Sequence, residues 1–245
     1  QDVYGTAVST TVEGGTQILE SGGKLSLNTF AGGTQIIASG ASLTADASGA
    51  ALSVQAAALS KGTQIVQSGG TATGFDLTGA KQVVAGLAVS TTVDAGLQDV
   101  SGGTAVSTTI NQGGVQNVNA DGLALGAMIS SGGTQNVNSD GETMAAFVFS
   151  GGVQNLNSGA ISYLGAIAGG TQNVAGGAAS QLVTISGGEL NIAQDGYVEL
   201  GVRDASATQS YDVTTMNING GYVDVGDITL DGYSTAGDTL NITNL

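Results

Sequence analysis

The sequence predicts an all-β chain, a right-handed parallel β-helix (β-solenoid) with ~18–19-residue coils. Three observations carry it: a recurring Gly-Gly-Thr-Gln string, alternation after each Gln, and glycine pairs between short runs. The Gln of the string falls at Gln17, Gln35, Gln64, Gln82, Gln98, Gln116, Gln135, Gln154 and Gln172, at intervals of 18, 29, 18, 16, 18, 19, 19 and 18. Gln1 stands 16 residues before the first, and Gly187 to Leu190 continue the series 18 residues after the last. The long interval spans Gly40 to Gly62, where the pattern degenerates and implies an insertion or a distorted turn.

The first run of each unit is Gln-x-aliphatic, with Leu19, Ile37, Val66, Val84, Val100, Val118, Val137, Leu156 and Val174 each two residues after their Gln. The residue between varies from Ile18 through Asp99 to Asn117, as expected of a strand with one buried and one exposed face. The second run is small or β-branched, as in Ala105-Val106-Ser107-Thr108-Thr109-Ile110, and also suits a strand. Nothing has the 3.6-residue period of a capped helix. A unit this short cannot bury its own apolar face, so the units must stack about 4.8 Å apart, and parallel crossovers favour the right hand. Length over period gives roughly 13 coils and a rod on the order of 60 Å long. Gly-Gly and Ser-Gly supply the positive φ that the corners need.

Gln shares the parity of the buried aliphatics. The series therefore points inward as a ladder of stacked amides, or else sits half exposed beside a turn. From about Gln194 the Thr-Gln signature is lost, and Tyr197, Tyr211, Tyr222 and Tyr233 appear with a cluster of acidic residues. Residues 1–193 thus form the regular solenoid, and 194–245 continue it in longer, irregular coils. Both ends break into the pattern as though cut from something longer.

Composition narrows the function. The chain of 245 residues has no Cys, His, Pro or Trp, which excludes thiolate and imidazole metal centres and triads with a His base. No cofactor is expected. A formal net charge of −15 repels phosphate backbones, so nucleic acid is excluded as a partner. No run approaches the ~18 apolar residues of a spanning helix.

β-Solenoids also host polysaccharide lyases and hydrolases, so a glycan-degrading enzyme is the alternative reading. Asp224, Asp227 and Asp231 are its candidate carboxylates, but the cations that could serve as base (Lys24, Lys61, Lys81 and Arg203) are scattered. Two surface features weigh more. Ser21, Ser39, Ser68, Ser101, Ser139 and Ser158 close the Gln strand just before Gly or Asp, and Ser131, Ser150 and Ser186 precede the Gly-Gly of the other corner. Such hydroxyls suit a tight bend and are equally placed to accept O-linked sugar. Asn117, Asn119, Asn136, Asn138, Asn155 and Asn157 have outward parity over three coils. They either keep an exposed strand soluble or form a flat amide face that zips against a second copy, weak contacts summing to avidity.

The Gly-Gly-Thr-Gln-Asn-Val-Asn-Ser-x-Gly unit, complete at Gly132 to Gly141, resembles the passenger repeat of self-associating autotransporter adhesins of Gram-negative bacteria, of the diffuse-adherence adhesin type. The resemblance covers Gln1 to about Ile192 well and the remainder weakly. It implies a right-handed β-helix exported to the cell surface, without catalytic activity, serving attachment to host cells, autoaggregation and biofilm formation. For the glycosylated members it further implies covalent O-linked heptose on repeat serines, added by a dedicated cytoplasmic heptosyltransferase. By position this points to Ser21, Ser39, Ser68, Ser101, Ser139 and Ser158, then Ser131, Ser150 and Ser186. Ala120 and Gly176 stand at the equivalent turn position in two coils, which should lack that sugar. The implied partners are the heptosyltransferase, other copies of the chain and a host-cell receptor.

Overall fold

A computed structural model describes residues 1–8, 10–26, 29–30, 32–44, 58–200, 215–219, 222–224 and 239–243. The described elements are short parallel strands, stacked as a β-solenoid. One coil runs Val115–Val118, Leu123–Leu125 and Met128–Ile129; the next runs Thr134–Val137, Glu142–Met144 and Phe147–Phe149 directly above it. From Thr16 to Ile192 the Gln-face strand of each coil has four residues, with further strands on a second and a third face, joined into one seven-residue strand at Ala179–Ile185. Among the described residues the Gln face is a single sheet of 13 strands, in agreement with the coil number expected from the period.

Gln pairs with Gln in every coil from Gln17 to Gln172, whatever the spacing. The irregular intervals are absorbed at the corners. In the 16-residue coil only Ala85 and Gly86 join the first strand to the second, where most coils use four residues. In the 29-residue interval Gln35 still pairs with Gln64, and the extra residues fall between Ser42–Thr44 on the second face and Ala58–Leu59 on the third. The residues between, 45–57, lie outside the described residues, as does much of 201–245. The Gln-face register nonetheless runs on from Leu190 to Met216 and Leu240.

Alternation decides what is inside. The Gln face contributes an inner column of Leu19, Ile37, Val66, Val84, Val100, Val118, Val137, Leu156, Val174 and Ile192, all buried. The third face adds Leu77, Val93, Ile110, Ile129, Val148, Ile167 and Ile185. The second contributes small residues, Ala72, Ala88, Ala105 and Ala124, so three walls fit around a narrow core. Each fully buried Val, Leu or Ile is worth about 1.5–3 kcal/mol. The two glycines of a corner pair have different tasks. Gly132 adopts φ 75°, where a side chain is strained. Gly133 faces the carbonyl of Ile110 one coil below, where no Cβ fits.

Candidate functional site: corner serines and two amide columns

The inward Gln residues are buried, and their amides form one continuous column. The Nε2 of each donates to the Oε1 of the Gln one coil below: Gln64 to Gln35 at 2.8 Å, Gln82 to Gln64 at 2.6 Å, and so on to Gln172 to Gln154 at 2.6 Å. The bonds lengthen to 3.3 and 3.4 Å only at the first two steps, from Gln35 to Gln17 and from Gln17 to Gln1. At the other end Leu190 takes the Gln position, and the Ser180 hydroxyl donates to Gln172 Oε1 at 3.1 Å instead. Thr108 likewise donates to Gln98 Oε1 at 3.1 Å. The column stabilises the fold and exposes nothing to a partner.

Outward residues of the same strands build a second column. Asn117 donates to Asp99 at 2.8 Å, Asn136 to Asn117 at 3.0 Å and Asn155 to Asn136 at 2.8 Å. Alongside, Asn138 donates to Asn119 at 2.8 Å and Asn157 to Asn138 at 2.7 Å. All six Asn singled out in the sequence are thus brought together on one face. Two Asn beyond the six, Asn173 and Asn191, extend the first column by two coils at 2.8 Å each and have the same spacing and parity. Each interior Asn spends one N–H and one lone pair along the rod, leaving one of each free to face outward. Asp99, at the foot of the column, also pairs with Lys81 at 2.6 Å. Where the second column gives way to Ala175 and Ala193, a shallow groove of about 400 Å³ opens beside Asn155, Asn173 and Asn191.

All nine candidate serines are exposed, but they do not occupy one equivalent position. The standard corner after the Gln strand has four residues, as in Asn138-Ser139-Asp140-Gly141. Ser21, Ser39, Ser68, Ser139 and Ser158 take its second position and form a row interrupted at the short corners after Val84 and Val100, at Ala120 and at Gly176. Ser101 differs. Its corner has only three residues, and its backbone N–H bonds Val84 O just as that of Asn119 bonds Val100 O. Ser101 therefore stands in the first position, beneath Asn119 and outside the row. On the corner before the Gln strand, Ser131 and Ser150 share the second position, whereas Ser186 follows the buried Ile185 directly and takes the first. In both corrections the residue after the serine misled, because glycine follows it at either position.

A third surface feature went unread in the sequence. Around the bend between the second and third faces, Met144, Phe147, Phe149, Tyr163, Leu164 and Leu182 are exposed, with the rings of Phe147 and Phe149 stacked 6.3 Å apart. Their outward parity was the available signal. Of the candidate carboxylates, Asp224 lies on the strand Tyr222–Asp224, and Asp227 and Asp231 lie outside the described residues. Among the described residues no group of three or more acidic side chains is placed to hold a metal.

No protein-family model matches the chain, and no curated protein does. Among solved structures, the TibC-catalysed hyper-glycosylated TibA fragment matches with a TM-score of 0.72 and 26% identity, over 100% of this chain and 85% of that one. In fold, and along its whole length, the chain resembles the passenger of a TibA-like autotransporter adhesin.

Proposed function

We propose that the chain is a surface-displayed, non-catalytic adhesin passenger whose corner serines carry O-linked heptose and whose uncharged amide face contacts other copies. The observation that carries this is the row of exposed hydroxyls at one corner position, on a fold shared with a hyper-glycosylated fragment. Attachment to a host receptor, autoaggregation and biofilm formation follow as the functions of a rigid rod that repeats weak binding elements at each coil, so that small contacts sum.

The transferase is a heptosyltransferase of the TibC kind acting in the cytoplasm, with a nucleoside-diphosphate heptose as donor. The serine Oγ forms a bond to the anomeric carbon while the bond from that carbon to phosphate breaks. The hydroxyl proton passes to a base of the transferase, and the nucleoside diphosphate departs with the electron pair. A resident metal or cofactor is not needed for this role.

Intact-mass measurement of the chain co-expressed with TibC tests the reading. Heptose-sized increments are expected, and replacing Ser21, Ser39, Ser68, Ser139 and Ser158 by Ala should remove most of them. An unchanged mass profile would reject those acceptors. The alternative, a glycan-degrading enzyme, predicts new unsaturated or reducing ends when the chain meets acidic polysaccharide and calcium; none is expected.

A further inference from the structure

On the corner after the Gln strand, the third turn position is left-handed in every full-length turn, yet it is not always glycine. Gly22, Gly40, Gly69, Gly159 and Gly177 have φ of 74–81°, while Asp121, Asp140 and Asp195 have φ of 58–63°. Aspartate tolerates this basin, so the backbone does not choose between them. The residue one coil below does. A Cβ on Gly40 would lie 2.9 Å from Ser21 Oγ, one on Gly69 2.5 Å from Ser39 Oγ, one on Gly159 2.8 Å from Ser139 Oγ and one on Gly177 3.0 Å from Ser158 Oγ. Where a full-length turn below lacks the hydroxyl, the residue above is Asp: Asp140 stands over Ala120, and Asp195 over Gly176, with a Cβ–Cβ separation of 3.9 Å for a side chain built on that glycine; Gly22 lies above the two-residue turn Tyr4-Gly5, and a Cβ on it would meet nothing within 4 Å. Ser68 meets neither, because the shortened turn Ala85-Gly86 above it has no third position.

We infer that this overlying residue decides which corner serines the folded rod can carry in glycosylated form: glycine admits the sugar and aspartate excludes it. The inference rests on the reading that these serines are sugar acceptors. Its physical basis is the sector above each Oγ. With glycine there, the first sugar ring leaves the corner through the space a side chain would fill. With Asp, a Cβ stands in that space, while the Asp140 carboxylate accepts from the Ser139 hydroxyl of its own turn at 3.3 Å, and crowding by the added Cβ is costly. On the other corner Ser131 lies under Gly151, whose Cβ would come 2.7 Å from its Oγ, and falls on the admitted side, whereas Ser101, at a first position, lies outside the rule.

The test builds an acceptor where none exists. The full chain is co-expressed with TibC as Ala120→Ser, as Asp140→Gly, and as both together; occupancy at position 120 is read by peptide mass spectrometry on the folded rod, and melting by circular dichroism. Ala120→Ser alone should give about tenfold lower occupancy than the double variant, or, if sugar is added before folding, a glycosylated rod that melts below its unmodified form while the double variant does not. Equal occupancy and equal melting in the two backgrounds would overturn the inference while leaving the acceptor reading intact. Absence of sugar on Ser139 and Ser158 in the unaltered chain would sink that reading and the inference with it.

Discussion

The inner and outer sides of the Gln face carry the same chemical device with different consequences. Both stack carboxamides coil over coil, at 2.6–2.8 Å for Gln64 to Gln172 inside and 2.8–3.0 Å for Asn117 to Asn191 outside. Inside, water is excluded, so every Gln must find its partners within the column or bear the desolvation cost of an unmade bond. Outside, a broken amide bond is replaced by water. The inner column therefore fixes register and stability, whereas the outer one faces solvent. The same residue chemistry is sealed in the fold on one side of a strand and open to solvent on the other.

This contrast can be broken from the inside first. Gln135→Leu would remove the acceptor of Gln154 Nε2 and the donor to Gln116 Oε1 at once. With each orphaned group costing about 1–3 kcal/mol, a loss of about 2–4 kcal/mol is expected after the gain from the added apolar burial. Thermal or urea unfolding would register it, and an unaltered midpoint would mean that the column is dispensable.

A smaller effect of opposite sign sharpens the point. On the second face Thr143 and Ser162 share the inward register of Ser180, but unlike Ser180 their hydroxyls are buried without a hydrogen-bond partner. Thr143→Val should therefore stabilise the rod by about 1 kcal/mol, because it removes an unsatisfied hydroxyl and keeps the shape. A destabilised variant would show that this hydroxyl does find a partner.

The smallest effect on stability, and the largest on association, is expected outside. Replacing Asn136 and Asn155 together by Lys should lower stability by less than about 1 kcal/mol, the cost of like charges opposite one another on adjacent strands. Like charges on facing rods should meanwhile reduce aggregation in sedimentation assays, most at low salt. Clumping that persists undiminished would remove the Asn face from the account of self-association and leave the exposed Phe147–Phe149 region as the surface to examine.

Much of this was legible residue by residue. Gln116 and Val118 share a parity, and so do Asn117 and Asn119, so the sides of the strand could be assigned before any coordinates. The outward side of the Asn series followed from that, whereas the buried Gln column was one of two readings, and only the burial of Gln17 to Gln172 closed the half-exposed alternative. The positions of Ser101 and Ser186 did not, because counting back from Gly-Gly gives the wrong answer where a corner is one residue short. Counting forward from the buried Val100 and Ile185 would have placed both. The exposed Phe147, Phe149 and Tyr163 were passed over because a single outward aromatic is ordinary, and only stacking shows that several coils contribute to one patch.

The sequence by itself determined the period, the fold class and the inside and outside of each strand, since all three are properties of local alternation and of repeats too small to stand alone. Only the tertiary structure decided which residue lies above which: Asp140 over Ala120, Gly159 over Ser139, Asn119 over Ser101. Corner lengths vary from two residues to four, so chain distance does not measure height. The ladder of interstrand hydrogen bonds resets the register at every Gln strand, and vertical neighbours follow from that ladder.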